Sequence, residues 1–366
     1  MVNLNLDHQS PRSRNTDPGI GVIGAGFIVR DIQLVAYSHA GYRVEAIASS
    51  DPDEARAVAK LRSVPKAWEH WRELLADPRV EILDIAVPPS AQPEIIGEAI
   101  RYAGRIKGIL AQKPLALDYA TARNVVAVCA EAGIPLAVNQ NMRYDQSIRA
   151  LKTILCRRYL GDPVLATIEM RAIPHWQSWL RNYDRLTLLN MSIHHLDTFR
   201  FLFGDPESVY CSARTDPRTG FPHRDGIVLY ILEYANGFRA TAWDDVWAGP
   251  AREGAAADNY IKWRVEGTDG TAQGTIGWPE YPNAAPSTID FTTKLEPGCW
   301  FRPRWSEVWF PDAFEGTMGQ LLEAVASGTE PAVNGRENLH TVALVDACYR
   351  SIEEHRPVRL AEILEA

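Results

Sequence analysis

The sequence lacks the features that mark secreted, membrane-spanning and nucleic-acid-binding proteins. Its five cysteines, at positions 129, 156, 211, 299 and 348, are scattered and include no Cys-x-x-Cys pair. This pattern favours reduced thiols in a cytoplasmic protein over a disulfide framework. No apolar run approaches the ~20 residues of a membrane-spanning helix. The formal net charge of −8 lacks the basic excess that nucleic acids and anionic membranes attract.

The length favours two domains. A chain of 366 residues can bury two separate cores. Residues 1–17 are polar and contain no apolar segment, so we expect a disordered tail rather than a signal peptide. The pattern changes near residue 145, which predicts one domain over residues 18–145 and a second over residues 146–366.

The first domain alternates strand-like and helix-like segments. Repeated strand–helix units of this length predict a parallel sheet with helices on both faces and the carboxyl ends of the strands at one edge. That edge is where open α/β sheets bind ligands. The predicted strands after the first are 44–48, 82–87, 106–111 and 136–139, and the predicted helices are 53–61, 91–103 and 118–132.

The second domain has strands that follow one another without intervening helices, with a hairpin signal at Tyr234-Ala235-Asn236-Gly237-Phe238. This pattern predicts an α+β domain with an open, mostly antiparallel sheet. The predicted strands are 163–172, 209–214, 227–234, 238–247 and 260–265, and the predicted helices are 188–203, 312–327 and 336–354.

A glycine-rich turn follows the first strand. Gly24 permits a tight turn, and Gly26 allows the backbone to approach a phosphate at the start of a helix through Ile28. Val29 occupies the place of a third glycine. The fingerprint is therefore incomplete, and an ordinary glycine-rich turn is the alternative.

Two further segments could carry chemistry. Lys113 follows the strand 106–111, where an ammonium group can stabilise charge on a substrate oxygen. In a helix over 188–203, Asn190, His194 and Asp197 would share one face, and His194 could act as a general base. A metal site is the competing interpretation, but adjacent histidines diverge by roughly 100° on a helix, so we predict none.

Taken in order, these motifs resemble the glucose–fructose oxidoreductase / inositol dehydrogenase (Gfo/Idh/MocA) family. The similarity extends from Gly19 to about Leu360. The motifs that carry it are Gly24-x-Gly26, Lys113-Pro114, Gly161-Asp162-Pro163, His194-His195-Leu196-Asp197 and Gly335-Arg336-Glu337-Asn338.

The resemblance implies a Rossmann domain, a C-terminal domain for substrate binding and oligomerisation, and alcohol–carbonyl redox chemistry on sugars or polyols with NAD or NADP. It implies that Lys113 is the catalytic lysine, that His194 is the acid/base and that Asn190 is part of the catalytic group. The implied substrate contacts are Arg143, His175, Trp176, His194 and Asp197. The implied cofactor contacts are Gly24, Gly26, Phe27, Ile28, Ser49, Ser50, Pro88, Gln92, Gln112, Lys113 and Asn141.

Three positions depart from the family pattern. Gln112 stands where glutamate is preferred, and Gln92 stands roughly where histidine is common. Asn190 replaces an aspartate four residues before the histidine, and an amide cannot supply the charge that supports an imidazolium. A member with lost or altered redox activity is therefore one alternative, and an NAD-assisted glycosidase or lyase is another.

The end of the second strand bears on whether the cofactor is NAD or NADP. The second strand ends in Ser49-Ser50-Asp51 with no arginine directly after it, which favours NAD over NADP. An aldose, including a branched pentose such as apiose, is favoured over an inositol. The resemblance also implies a homodimer or homotetramer formed through the C-terminal sheet.

Overall fold

The computed structural model describes residues 1–172, 178–246, 259–277 and 285–366. The chain divides into two compact units. The N-terminal unit comprises Ser10–Asn141 and Phe310–Val342, and the C-terminal unit comprises Met1–Gln9, Met142–Trp309 and Ala343–Ala366. This division differs from the predicted one chiefly because residues 310–342 belong to the N-terminal unit.

A six-stranded parallel sheet forms the core of the N-terminal unit, which confirms the predicted Rossmann class. Its strands are β1 (Ile20–Ile23), β2 (Val44–Ala48), β3 (Lys66–Trp68), β4 (Ile82–Ile85), β5 (Gly108–Ala111) and β6 (Leu136–Val138). The strands lie in the order β3-β2-β1-β4-β5-β6, so the chain first adds strands outwards on one side of β1 and then, from β4, on the other side. Such a change of side is the switch point at which open α/β sheets bind ligands. Strand β3 was not predicted, because three residues are too few to show a period.

The described residues form ten α-helices. They are α1 (Leu34–Ala40), α2 (Pro52–Arg62), α3 (Trp71–Ala76), α4 (Gln92–Ala99), α5 (Tyr119–Glu131), α6 (Gln146–Cys156), α7 (Ile193–Phe203), α8 (Ala313–Ser327), α9 (Gly335–Glu354) and α10 (Ala361–Leu364). Within the described residues, none of these helices has the length and apolar character needed to cross a membrane.

Side-chain caps explain where two of the predicted helices begin. The Asp51 carboxylate accepts the backbone N–H groups of Asp53 and Glu54 at the start of α2, with Pro52 in the first turn. The Asp118 carboxylate accepts the N–H of Thr121 at the start of α5. These short-range bonds satisfy N–H groups that have no partner inside a helix, so the sequence alone predicts both starts.

Helix α8 belongs to the N-terminal unit because it packs against β5 and β6. A Cβ atom on Gly108 of β5 would lie 3.0 Å from Leu321 of α8, so the two elements approach closely. The Thr317 hydroxyl also donates to Asn139 Oδ1 at 3.0 Å. These long-range contacts leave no signal in the local sequence, and the predicted domain division therefore missed them.

An eight-stranded sheet forms the core of the C-terminal unit and is mostly antiparallel, as predicted. Its strands are β7 (Pro163–Arg171), β8 (Ser208–Arg214), β9 (Ile227–Glu233), β10 (Arg239–Asp245), β11 (Tyr260–Gly267), β12 (Gly270–Thr275), β13 (Thr288–Thr293) and β14 (Val358–Arg359). The order is β13-β12-β11-β7-β10-β9-β8-β14, and β7 pairs with β10 in parallel. Buried and more exposed residues alternate along β9, β10 and β11, so one face of the sheet is covered and the other is open.

Residues 1–17 contain no helix or strand, but they make specific contacts where the sequence predicts a disordered tail. In the C-terminal unit, Leu6 is buried and His8 stacks on Trp305 with ring centroids 4.4 Å apart. In the N-terminal unit, Arg12 forms two hydrogen bonds with the buried Glu315 carboxylate, at 2.6 and 3.0 Å. A polar composition therefore does not prevent this segment from docking, because Leu6, His8 and Arg12 each have a partner.

A buried acid lies in the centre of the parallel sheet. Asp84 of β4 accepts hydrogen bonds from the Tyr37 hydroxyl at 2.7 Å and from Gln33 Nε2 at 2.9 and 3.1 Å. Burial raises the pKa of Asp84 from 3.8 to about 7, although the donors oppose part of this shift. The folded state therefore favours the protonated acid over most of the acidic pH range.

We expect Asp84→Asn to remove a pH-dependent loss of stability. Because the folded-state pKa is raised, the contribution of Asp84 is present below pH 4 and is lost as the pH rises through about 7. The free energy of unfolding of the wild type, relative to the variant, should fall by roughly 2–3 kcal/mol between pH 5 and pH 8 in urea titrations. A relative stability that is constant with pH would contradict the raised pKa.

Asp77→Asn is the matched control for this titration. Hydrogen bonds from Arg79 lower the pKa of Asp77 to about 2. Both its folded and its unfolded pKa therefore lie below pH 5, and its contribution to stability should be constant from pH 5 to pH 8.

Candidate active site

The glycine-rich turn has the geometry that a dinucleotide requires. Gly24 has φ of +121°, and a Cβ there would lie 2.2 Å from the Ala86 carbonyl oxygen, so only glycine fits. A Cβ on Gly26 would have no neighbour within 4 Å, so the backbone is open to a ligand at this point. Phe27 is exposed and Ile28 is half-buried, which leaves both able to contact a cofactor. The turn therefore fits a pyrophosphate group.

The helix after this turn is not regular, although the sequence predicts a regular helix there. Ile28–Gln33 forms a π-helical segment before α1 begins at Leu34. Such segments are often found at functional sites. The hydrophobic period does not distinguish a single wide turn from an α-helix, so the sequence could not predict it.

Strand β2 is followed by two serines and by Asp51, whose carboxylate caps the next helix. Ser49 is half-buried and Ser50 is exposed. The Ser49 hydroxyl accepts the backbone N–H of Asp51 at 3.3 Å, and the Asp51 carboxylate caps α2. Asp51 therefore places a negative charge beside the predicted ribose contacts.

Gln92 holds the loop that carries Lys113, and its predicted contact with the cofactor remains a prediction. Its side chain is fully buried at the start of α4, where Nε2 donates to the carbonyl oxygens of Gln112 at 2.9 Å and Pro114 at 2.8 Å. The Gln112 side chain turns back to accept the N–H of Lys113 at 3.0 Å. The amide of Gln92 thus holds the backbone on both sides of Lys113, and Pro88 is half-buried before the same helix.

Lys113 lies in the loop after β5, at the carboxyl edge of the parallel sheet, and precedes a cis proline. The side chain is half-buried. Desolvation of its ammonium group lowers the pKa of Lys113 from 10.5 to about 7. A substantial fraction of the amine is therefore neutral at pH 7, whereas an ordinary lysine is almost entirely protonated there. A strongly shifted pKa at the ligand-binding edge is typical of a functional residue.

Asn141 closes the N-terminal unit and is also buried. Its Nδ2 donates to the Asn139 carbonyl oxygen at 3.2 Å. The predicted contact of Asn141 with the cofactor remains a prediction.

In the C-terminal unit, the predicted helix over 188–203 has two parts. Leu188–Ser192 is a π-helical segment, and α7 begins at Ile193. Asn190 lies in the π-helical segment before α7 begins, so the regular α-helical spacing that the sequence predicts does not hold between Asn190 and His194. His194 and Asp197 remain i, i+3 neighbours on α7. The His194 ring is buried and packs edge-on against Trp309, with centroids 5.7 Å apart.

Asp225, which the sequence analysis missed, fixes the start of this helix. Its carboxylate accepts the backbone N–H groups of Leu186 and Leu188, each at 2.7 Å, and the Tyr349 hydroxyl at 2.9 Å. Burial raises the pKa of Asp225 to about 6, and the two N–H donors oppose the shift. No local motif identifies this cap, because Asp225 lies far along the chain from the helix it holds.

Arg143 and Asp197, both predicted as substrate contacts, bind one another. Arg143 Nε lies 2.5 Å from Asp197 Oδ2, and Nη2 lies 2.6 Å from Oδ1. Both side chains are buried. Since the pair is bidentate, Asp197 anchors the turn that contains Arg143 to α7, and the expected contacts of both residues with the substrate remain a prediction.

Two predicted substrate residues, His175 and Trp176, lie outside the described residues. Just beyond them, Ser178–Asn182 forms a 3₁₀ turn. Trp179 packs edge-on against Tyr183, with ring centroids 5.7 Å apart.

The parallel sheet, its open glycine turn and the desolvated lysine at its carboxyl edge define a dinucleotide-binding oxidoreductase with a separate α/β domain. Residues 19–140 match the NAD-binding Rossmann-fold domain of the Gfo/Idh/MocA oxidoreductases, and residues 157–360 match the C-terminal alpha/beta domain of the same proteins. The chain belongs to the Gfo/Idh/MocA oxidoreductase family, which confirms the resemblance seen in its motifs.

Individual relatives are similar over nearly their full length. D-apiose dehydrogenase of Paraburkholderia graminis is 26% identical over 93% of this chain and 89% of the relative. Inositol 2-dehydrogenase of Rhizobium meliloti is 26% identical over 93% of this chain and 98% of the relative. An Agrobacterium radiobacter oxidoreductase solved with NAD+, L-tartaric acid and magnesium shares the fold, with a TM-score of 0.80, 23% identity and coverage of 95% and 100% of the two chains.

We expect Lys113 to react with an amine-specific acylating reagent at neutral pH. Only the neutral amine reacts, and the lowered pKa makes the reaction half-maximal at about pH 7. Peptide mass spectrometry after brief labelling from pH 6 to pH 9 measures this profile. The exposed Lys60 serves as the reference for the reagent itself. A Lys113 profile that continues to rise through pH 9 would show that the ammonium is not desolvated.

Proposed function

We propose that this protein is an NAD(P)-dependent dehydrogenase that transfers hydride between the cofactor and a hydroxyl-bearing carbon of a sugar or polyol. The observation that carries the proposal is the desolvated Lys113 at the carboxyl edge of the sheet, with its loop held by Gln92. An amine with a pKa near 7 can donate a hydrogen bond to a substrate oxygen and exchange its proton during turnover.

The open turn at Gly24 and Gly26 would hold the pyrophosphate of the dinucleotide, and Ser49 would contact its ribose. When bound, the nicotinamide supplies the hydride acceptor or donor. In this proposal His194 accepts the proton of a substrate hydroxyl, and Lys113 stabilises charge that develops on a substrate oxygen. Asn190 can orient a neighbouring group through hydrogen bonds but supplies no charge.

The names of the relatives favour a hydroxylated carbon ring or chain as substrate. Two similar proteins, from Paraburkholderia graminis and Rhizobium rhizogenes, are D-apiose dehydrogenases, and another is an inositol 2-dehydrogenase. We therefore propose an aldose, with apiose as the first candidate, ahead of an inositol. The five free cysteines support action in the reducing cytoplasm.

Turnover on a substrate panel tests the function. NAD and NADP reduction is measured against apiose, other aldoses, inositols and sugar acids. We expect turnover on an aldose with NAD preferred, because Asp51 at the end of β2 disfavours a 2′-phosphate. A tenfold preference for NADP would contradict the cofactor assignment.

The same panel distinguishes the alternatives. Release of sugar from a glycoside without net NADH formation would indicate an NAD-assisted glycosidase or lyase. Cofactor binding without turnover on any substrate would indicate a catalytically altered dinucleotide-binding protein.

We expect Lys113→Ala and His194→Ala each to lower kcat by about 10²–10⁴-fold with little change in cofactor affinity. If the two groups act on one proton-transfer step, the double variant should be no slower than the slower single variant, because the second change removes nothing further. Steady-state kinetics and fluorescence titration with NADH measure both quantities. Full turnover in Lys113→Ala would discard the assignment of the lysine.

We also propose that the protein forms a homodimer or homotetramer through the open face of its C-terminal sheet. Leu229 and Ile231 of β9 are 52% and 46% exposed, and Tyr210 of β8 pairs directly opposite Ile231. Trp243 of β10 is opposite Leu229 on the other side. A contiguous apolar patch of this kind is typical of an interface.

The patch predicts that Ile231→Glu shifts the protein towards monomers in sedimentation-velocity runs, because a buried interfacial charge is costly. Leu61→Glu is the control, since Leu61 is 59% exposed on α2 of the N-terminal unit. An unchanged oligomer in Ile231→Glu would exclude this face.

A further inference from the structure

We infer that Asp244 is a positioning residue for His194, and that it acts by holding Ser192, two residues before His194, and His195, directly after it. The inference rests on the proposed function in one respect only, the assignment of proton transfer to His194. Asp244 lies on strand β10, whereas the predicted site residues described in this unit lie in a 3₁₀ turn and along one helix.

Three fully buried polar side chains meet at this point. The Ser192 hydroxyl donates a hydrogen bond to Asp244 Oδ2. His195 Nδ1 lies 2.9 Å from the other carboxylate oxygen, Oδ1. All three residues have no exposed surface. The carboxylate therefore spans the residues on either side of His194, which lies between them in the sequence.

The sheet itself gives Asp244 no polar partner at its own level. In register with Asp244 are Val228 on β9 and Met170 on β7, both buried and apolar. Burying a carboxylate in such surroundings is costly unless other groups compensate. Here the compensation comes from the helix, so the position of the helix and the burial of the acid depend on one another.

The contact falls where the helix changes type. Ser192 is the last residue of the π-helical segment, and His195 is the third residue of α7. If this junction moved by one residue, every later side chain would rotate by roughly 100° about the helix axis. Holding residues on both sides of the junction fixes the rotation, and hence the direction in which the His194 ring points.

Kinetics of Asp244→Asn, Ser192→Ala and a triple variant test the inference. We expect Asp244→Asn to lower kcat by about 10–100-fold with an unchanged KM for cofactor, because misplacing a catalytic group by about 1 Å has an effect of this size. Ser192→Ala, which removes one of the two contacts, should show a smaller fall in kcat. Asp216→Asn is the matched control, since Asp216 is equally buried in this unit but binds Arg218 in a loop.

The triple variant Ser192→Ala, His195→Leu, Asp244→Val separates positioning from stability. Replacing a whole buried polar cluster with apolar residues is often neutral for folding. We expect wild-type thermal stability with a kcat as low as that of Asp244→Asn. A stable triple variant with full kcat would overturn the inference.

A measurement without turnover separates this inference from the proposed function. In protein labelled with [15N]histidine, the His194 ring signals are assigned by their loss in His194→Gln. We expect Ser192→Ala and Asp244→Asn to move these signals and Asp216→Asn to leave them in place. Unchanged signals in both cluster variants would refute positioning by Asp244, whereas absence of wild-type turnover would refute the proposed function alone.

Discussion

The helix that carries His194 depends on buried carboxylates that lie far from it in the sequence or on another element. Asp225 accepts two N–H groups where the helix begins, and Asp244 contacts the residues on both sides of His194. Asp197, on the helix itself, forms a bidentate pair with Arg143. Each acid is costly to bury alone, so the three sets of contacts together fix the position of the helix.

The N-terminal unit uses burial to change the chemistry of two groups in different ways. Asp84 and Lys113 both have pKa values shifted to about 7 by desolvation. Asp84 lies inside the sheet with hydrogen-bond donors around it and is enclosed by protein. Lys113 lies at the end of its strand and keeps part of its surface in solvent. The same physical effect therefore contributes to packing in one case and produces an accessible amine in the other.

Local signals predicted most of the fold but only part of the site. Residues close in sequence determine several elements, and the sequence therefore predicts them. These elements are the strands 44–48 and 136–138, the capped starts of α2 and α5 and the turn at Gly24. Other features depend on interactions that the local sequence does not show. Contacts 20 or more residues apart produce the cap by Asp225 and the bonds from Gln92 to the Lys113 loop. One extra residue in a turn produces each π-helical segment. Motif similarity named Arg143 and Asp197, but it could not reveal that they bind each other.

Asn190 is an amide rather than an acid, and the three buried carboxylates that hold the helix after it differ in their partners. The charge of Asp197 is offset by the guanidinium of Arg143, and that of Asp225 by two N–H groups and a phenol. Within the described part of the chain, Asp244 contacts a hydroxyl and an imidazole, neither of which carries a permanent positive charge. Of these three acids, Asp244 is therefore the one whose described partners include neither a guanidinium nor a backbone N–H group. Asp244 therefore holds this helix through the Ser192 hydroxyl and its 2.9 Å contact with His195, whereas position 190 offers only an amide.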